Sequence, residues 1–256
     1  MKTPLPRLEY EILLCHCFGI KSSNLLAHPE KYDLEDPRFL KLVDRRLKGE
    51  PIAYITGIQP FCGLDFFVDR KVLIPRPETE LLVELALKKA PGSIADVGAG
   101  CGAIAVCLAK HLPNTKVIGI DSAPEALKIA KRNAEYHKVE DRCQFVIGNL
   151  LEPLKDKVDL IVSNPPYIPT ADIETLQSEV RDFEPRSALD GGEDGLKYIR
   201  QIIKEAPNHL NPQGRLMLEF GFGQAPAIRE YAQRYFKHSQ VLADYSNLER
   251  YLISNR

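Results

Sequence analysis

Asn164, Pro165, Pro166 and Tyr167 come one residue after the apolar run Leu160-Ile161-Val162, and their types and order define a chemistry. Two successive prolines hold Asn164 and Pro165 towards extended backbone, because a residue before proline is pushed out of the helical region. Neither proline carries an N–H. The segment therefore presents acceptors, the Asn164 side-chain oxygen and the Pro165 carbonyl, with Tyr167 adding a flat aromatic face. Such a set suits a planar –NH2 group, both hydrogens taken by acceptors and the face packed on a ring. The apolar run reads as a buried strand, which puts the tetrapeptide at a strand's carboxyl end, where open α/β sheets form ligand crevices. For the four residues alone, a proline-stiffened surface loop is the plain alternative.

The elements that would position this loop begin at Ser93, where strand and helix start to alternate as in a parallel sheet covered by helices. Ile94-Ala95-Asp96-Val97 feeds Gly98-Ala99-Gly100-Cys101-Gly102, and a helix follows through Ile104, Val106, Leu108 and Leu112. Alternating glycines let the backbone turn tightly and let a ligand lie on bare main chain. The spacing G-x-G-x-G differs from the G-x-G-x-x-G that seats a pyrophosphate. Asp96 adds a carboxylate just before the loop. The next strand, Lys116 to Ile120, ends in Asp121, where an acid takes both hydroxyls of a ribose without a 2′-phosphate. A third strand, Gln144 to Ile147, ends in Gly148-Asn149-Leu150, with Asn149 suited to an adenine edge and Leu150 to its face. Each residue alone reads as an ordinary strand-end or core position; in this order they trace a ribose and an adenine along three strand ends, leaving the fourth for Asn164. Ile168 to Asp194 forms a long connection, the kind that serves as a lid or binding loop. A helix from Leu196 to Ala206, a strand from Arg215 to Glu219, a helix from Ala225 to Phe236 and strands at Gln240–Ala243 and Arg250–Ser254 complete a seven-stranded sheet.

The amino-terminal part has another character. Leu8, Ile12 and Cys15 fall at helical spacing, and a second helix opens at Asp36, a good N-cap, with Pro37 at the first helical position. Phe39, Leu40, Val43 and Leu47 give its apolar stripe, and Gly49 stops it. Between Gly49 and Pro77, Leu64, Phe66 and Val68 alternate, Asp69-Arg70 supply a turn, and Val72 and Ile74 alternate again, a hairpin pattern. A helix through Leu81, Leu82, Leu85 and Ala86 follows Arg76-Pro77-Glu78-Thr79-Glu80, and nothing in this linker demands a function by itself.

Composition narrows the class. The 256 residues are enough for a substantial core, and 34 basic against 35 acidic side chains give no global sign of nucleic-acid binding. No apolar run approaches the length of a bilayer span, and Glu9, Glu11 and His16 interrupt any signal-peptide core. Cys15, Cys17, Cys62, Cys101, Cys107 and Cys143 show no Cys-x-x-Cys pair. Cys15 and Cys17 flank His16, but two helical residues at that spacing point apart, so reduced thiols in a cytoplasmic protein are expected in preference to a metal site.

The glycine loop, Asp121 and the Asn164-Pro165-Pro166-Tyr167 segment resemble the class I S-adenosylmethionine methyltransferases that modify planar amino or amide nitrogens. The wider pattern is similar to one branch, the HemK-type enzymes that methylate a glutamine side chain of peptide-chain release factors. Gly49, Pro51, Tyr54 and Gly57 match its Gly-x-Pro-x-x-Tyr-x-x-Gly stretch, Phe61 to Leu64 its Phe-x-Gly-Leu hairpin, residues 75–80 its Pro-Arg-Pro-Glu-Thr-Glu run, and Phe183 to Gly195 the stretch after the active-site loop. Enzymes methylating a ribosomal-protein glutamine look similar but usually lack the second proline and the Glu-Thr-Glu of 75–80. Two features depart from the branch: Asn149 stands where it often has an acid, and the amino-terminal unit is compact.

The resemblance implies an α/β fold with a Rossmann-like, seven-stranded, mostly parallel sheet, a helical substrate-docking domain at 1–50, a β-hairpin linker at 51–77 and a methyltransferase domain at 78–256. It implies S-adenosyl-L-methionine as donor and S-adenosyl-L-homocysteine as product. The cofactor would be held by Asp96, Gly98, Ala99, Gly100, Cys101, Gly102, Asp121, Asn149, Leu150 and Asn164. The substrate amide would be held by Asn164, Pro165, Pro166 and Tyr167, with Asn164, Pro165 and Tyr167 as the catalytic set and no metal. Release factors are the implied partners of a cytoplasmic monomer acting in translation termination, without nucleic acid or membrane. Two other readings of the residues stay open: an amino-methyltransferase of DNA or RNA, which needs a flipped base and a basic approach surface, and a non-catalytic cofactor-binding module.

Overall fold

A computed structural model describes residues 5–256; residues 1–4 of the expected helical unit lie outside it. The amino-terminal unit consists of α1 (Arg7–Phe18), α2 (Ser22–Ala27), α3 (Pro37–Leu47) and α4 (Ile52–Thr56). Asp36 caps α3 as its sequence demands, its side chain accepting from the Arg38 N–H, and Phe39 and Val43 are buried. In α1 the buried face is Leu13 and Leu14, whereas Leu8 and Ile12 are exposed. The expected stripe is out of phase, since Ile12, Leu13, Leu14 and Cys15 are consecutive apolar residues and the spacing alone could not choose among them.

The hairpin is β1 (Ile58–Phe61) paired antiparallel with β2 (Leu64–Phe67), earlier in the chain than the expected alternation around Asp69-Arg70. Cys62 and Gly63 both have positive φ (49° and 73°), the geometry of the two-residue turn whose twist matches a hairpin. Val68, Val72 and Ile74 are buried without forming a second strand. Helix α4, inside the stretch read as linker, joins the two units: Ile55 packs with the amino-terminal core, while Tyr54 packs in the main core and donates to the Val72 carbonyl at 2.5 Å.

Then follow α5 (Pro77–Leu87), β3 (Ser93–Val97), α6 (Ala103–His111), β4 (Lys116–Asp121), α7 (Pro124–His137), β5 (Cys143–Ile147), β6 (Val158–Ser163), α8 (Ser178–Arg181), α9 (Lys197–His209), β7 (Leu210–Glu219), α10 (Ala225–Ala232), β8 (His238–Ala243) and β9 (Glu249–Asn255). The seven-stranded sheet runs β5-β4-β3-β6-β7-β9-β8; only the pairs involving β9 are antiparallel. The chain order reverses between β3 and β6, and this switch point is where an open α/β sheet leaves a crevice beyond its strand ends. Two apolar layers flank the sheet, one with α5, α6 and α7, the other with α9 and α10.

Asn133 of α7 ties hairpin to glycine loop. Its side chain accepts from Phe67 N–H at 2.8 Å and donates to the carbonyls of Phe67 at 3.0 Å and Cys101 at 2.9 Å, fully buried. Removing a buried partner leaves the others unsatisfied, so Asn133→Ala is expected to cost about 2–4 kcal/mol. Urea unfolding should show this as a lowered midpoint with unchanged slope.

Candidate active site

The carboxyl ends of β3, β4, β5 and β6 converge on a cleft lined by Gly98, Gly100, Asp121, Asn149, Leu150 and Asn164, among others. Gly98 and Gly100 adopt φ of 75° and 54°, and beyond each a Cβ would meet nothing within 4 Å. That is bare backbone facing open space, the surface an extended ligand lies on. Gly102 differs: a Cβ there would reach Ala130 and Phe145 at 3.1 Å, so it lets α6 pack closely on α7 and β5.

Asp121, expected to hold the ribose, lines the cleft at the end of β4 and has a structural role there. Its Oδ2 accepts from Gly100 N–H at 2.8 Å and its Oδ1 from Ala123 N–H at 2.9 Å, so the same carboxylate shapes the glycine loop and the turn after β4. Asn149 donates its amide to Glu152 Oε1 at 3.1 Å, which directs its own oxygen away from that partner. Leu150 stands at φ 48°, a strained conformation for a branched side chain of the kind that clusters at binding sites.

Four residues expected at the cofactor are placed elsewhere. Asp96, Ala99, Cys101 and Gly102 are not among the residues lining the cleft. Asp96 is fully buried in β3, its Oδ2 accepting from Ala105 N–H at 3.1 Å at the start of α6 while Oδ1 has no partner. Burial pushes its carboxyl up to about 7, opposed by the Ala105 N–H and aided by the Asp121 charge. Ala99 and Cys101 point into the core, and burial raises the Cys101 thiol to about 12. For Ala99 and Cys101 alternation explains this: between glycines that face the cleft, the intervening side chains turn inward. The six cysteines are free, and no cluster of metal-ligating side chains occurs among the described residues.

Ser163 Oγ donates to the Val97 carbonyl across the switch point at 2.5 Å, anchoring the loop that follows. Asn164 Nδ2 donates to Thr79 Oγ1 at 2.9 Å, and Thr79 Oγ1 donates to Glu219 Oε2 at 2.8 Å. With its nitrogen engaged, the Asn164 amide has its oxygen free for the cleft. Pro166 also lines the cleft; Pro165 is buried and Tyr167 half-buried, outside the lining. The Tyr167 carbonyl accepts from Gln224 Nε2 at 2.9 Å, and its ring lies so close to Gly221 that a Cβ there would touch it at 3.0 Å. Burial raises the Tyr167 phenol, with the Glu219 charge adding to it.

The run at 75–80, notable in the sequence only through the resemblance, frames the cleft. Arg76 pairs with the buried Glu184 at 2.6 Å, the Glu78 carbonyl accepts from Tyr251 Oη at 2.6 Å, Thr79 holds Asn164, and Glu80 accepts from Cys62 N–H at 2.9 Å. Its partners are scattered from the hairpin to β9, which no local pattern reveals. Lys71, Val72 and Leu73, the Pro185–Ala188 region and Tyr198 also line the cleft. Part of the long connection thus lines the crevice, and the connection is anchored by the buried Ile173 and Leu189.

The cleft fits an adenosyl group: an acid at the end of β4, open glycine backbone, and an asparagine oxygen beside a leucine at the end of β5. Fold and site together define a class I methyltransferase. A solved methyltransferase from Pyrococcus furiosus shares the fold, with a TM-score of 0.58 at 21% identity, covering 84% of this chain and 98% of that one. Residues 2–57 match the family described as PrmC N-terminal domain and residues 77–180 the Methyltransferase small domain. The release factor glutamine methyltransferase of Geobacter sulfurreducens is 51% identical over 227 residues, 87% of this chain and 79% of its own length. That of Moorella thermoacetica is 41% identical over 260 residues, 98% and 92% of the two chains. This chain belongs to the release factor glutamine methyltransferase family, whose members are S-adenosylmethionine-dependent.

A buried carboxyl whose folded pKa lies above its unfolded value takes up a proton on folding, so its contribution to stability falls as pH rises towards the folded pKa. Asp96→Asn, a neutral mimic of the protonated form, should therefore gain on the wild type in melting temperature as pH rises from about 5 to 8. Calorimetric scans across that range check the sign; a constant difference would mean that Asp96 does not titrate there.

Proposed function

We propose that the protein transfers the methyl group of S-adenosylmethionine to the side-chain amide nitrogen of the glutamine in the Gly-Gly-Gln motif of peptide chain release factors. The observation that carries this reading is the Asn164 amide, held by its nitrogen so that an oxygen acceptor meets the cofactor cleft. The relatives' names carry the release factor, and the geometry supports an amide. An amide nitrogen is a poor nucleophile because its lone pair is delocalised into the carbonyl. Asn164 Oδ1 and the Pro165 carbonyl, taking its two N–H groups, would aim the lone pair out of plane and stabilise the positive charge that grows on nitrogen. Tyr167 would bound the amide plane. Bound S-adenosylmethionine supplies a methyl already activated by its sulfonium, so the chain's task is positioning and electrostatics. The proton made acidic by alkylation leaves to water, and no general base is assigned.

For the cofactor, the reading gives the ribose hydroxyls to Asp121, the adenine edge to Asn149, its face to Leu150, and the main chain of Gly98 and Gly100 to the extended part. Asp96, Ala99, Cys101 and Gly102 support this surface from behind. For the partner, residues 1–50 would dock the folded factor. Arg46 links Glu9 of that unit at 2.8 Å to Glu179 of the covering connection at 2.9 Å, which would let docking and the active-site cover move together. We infer a monomer acting on protein in the cytoplasm; no helix among the described residues is long and apolar enough to cross a membrane.

Incubating the protein with methyl donor and intact release factor, followed by mass spectrometry of its peptides, tests the reading. One added methyl on the Gly-Gly-Gln glutamine is expected; label in a nucleic-acid fraction instead would overturn it. Asn164→Ala should abolish transfer while leaving cofactor affinity nearly intact. Asp121→Ala should weaken cofactor binding by roughly 10- to 150-fold, the worth of a charge-assisted hydrogen bond, as read by calorimetry.

A further inference from the structure

Glu219, a buried carboxylate at the end of β7, has no part in the chemistry just described. It is 1% exposed, and its Oε1 has no hydrogen-bond partner. Leaving a charged oxygen in that state is costly, and an unsatisfied buried group in a native fold calls for a reason. Its other oxygen receives the Thr79 hydroxyl. Thr79 is itself buried, and a hydroxyl has a single hydrogen to give. Once that hydrogen goes to Glu219, Thr79 Oγ1 can only accept along its remaining direction, and Asn164 meets it with Nδ2.

We propose that Glu219 and Thr79 are positioning residues for methyl transfer, a polarity relay that holds the Asn164 amide with its oxygen, not its nitrogen, towards the substrate. The inference rests on the reading of Asn164 as substrate acceptor. Its logic is directional. An ionised Glu219 accepts only, so every hydrogen in the chain Asn164–Thr79–Glu219 points inward and the outer end is an acceptor. A protonated Glu219 donates to Thr79, which frees the hydroxyl hydrogen to point outward. The Asn164 amide then gains by turning its oxygen to Thr79 and its NH2 to the cleft, where it would repel the substrate –NH2. The relay thus ties the acceptor to the charge state of a group that never touches substrate.

The groups facing Glu219 come from three elements. The Thr79 hydrogen bond, the Arg250 charge of β9 and the nearby Asn164 amide favour its charged form; Glu78 of α5 opposes it. Tyr167 and Tyr251 of β9 feel the Glu219 charge in their own raised phenols. Burial is the largest influence, and the carboxyl is pushed up to about 7. The relay is therefore intact above that pH and lost below it.

The test is steady-state methylation of intact release factor by the full-length protein between about pH 5.5 and 8.5, with calorimetric cofactor affinity measured for each variant as a check on folding. Wild type should lose kcat on the acid side with KM for the factor little changed. Thr79→Val, which keeps the shape and removes the relay, should lower kcat roughly 10- to 100-fold, as a misplaced reacting group does, and Thr79→Ser should restore most of it. Glu219→Gln retains an acceptor for Thr79 without a titratable group, so the acid limb should flatten while kcat falls less than in Thr79→Val. A Thr79→Val enzyme with wild-type kcat, or a Glu219→Gln enzyme with the wild-type acid limb, would overturn the relay. A wild-type protein that methylates no glutamine would instead overturn the functional reading beneath it.

Discussion

The hydrogen bond from Thr79 to Glu219 is the interaction on which the site depends, because it decides which end of the Asn164 amide faces outward. Sheet register makes it possible. Ser163 pairs with Leu218, so one step further Asn164 and Glu219 stand side by side at the ends of β6 and β7. Glu219 pairs in turn with Tyr251 of β9, whose hydroxyl holds the Glu78 carbonyl and so sets α5 with Thr79 over the gap. Three strands and one helix start must agree to within the tolerance of a hydrogen bond, about 0.3 Å either side of the mode. A mostly parallel sheet flanked by apolar layers on both faces supplies that rigidity.

The same frame gives the cleft two sides. One side is built from strand ends and glycine backbone, with Asp121 holding both the loop and the following turn. The other side is a proline-stiffened loop braced by Gln224 and Gly221. Asn164 belongs to the border between them. Over both lies the 168–194 connection, joined to the linker through Arg76 and Glu184 and to the amino-terminal unit through Arg46 and Glu179. Arg70 stacks over Phe183, 4.7 Å from the ring centroid, and pairs with Glu50 at 3.0 Å. These partly exposed ion pairs contribute modestly to stability; they tie the connection to the linker and to the amino-terminal unit.

Much of this was legible in the sequence, for identifiable reasons. The alternation of strand and helix after Ser93 is carried by local apolar runs and punctuated by glycine and asparagine, so the seven strands and their ends at Asp121, Asn149 and Asn164 could be placed. What failed were questions of facing. Gly98 and Gly102 look alike in a G-x-G-x-G string, yet one fronts the cleft and the other makes room for Ala130 and Phe145. Asp96 has the same chemistry as Asp121 but sits within its strand, aimed at the start of α6. In α1 the buried residues are Leu13 and Leu14, not Leu8 and Ile12. The Thr79–Glu219 contact spans 140 positions and leaves no periodic trace. Only the family resemblance of the 75–80 run hinted that those residues had work to do.

The most direct test of the central claim is a crystal structure of the protein with S-adenosylhomocysteine and a release factor, or its Gly-Gly-Gln loop. The account predicts the target amide nitrogen within about 3 Å of both Asn164 Oδ1 and the Pro165 carbonyl, with Asn164 Nδ2 still on Thr79. A target amide held by other groups, or an Asn164 side chain turned away from Thr79 in that complex, would contradict it.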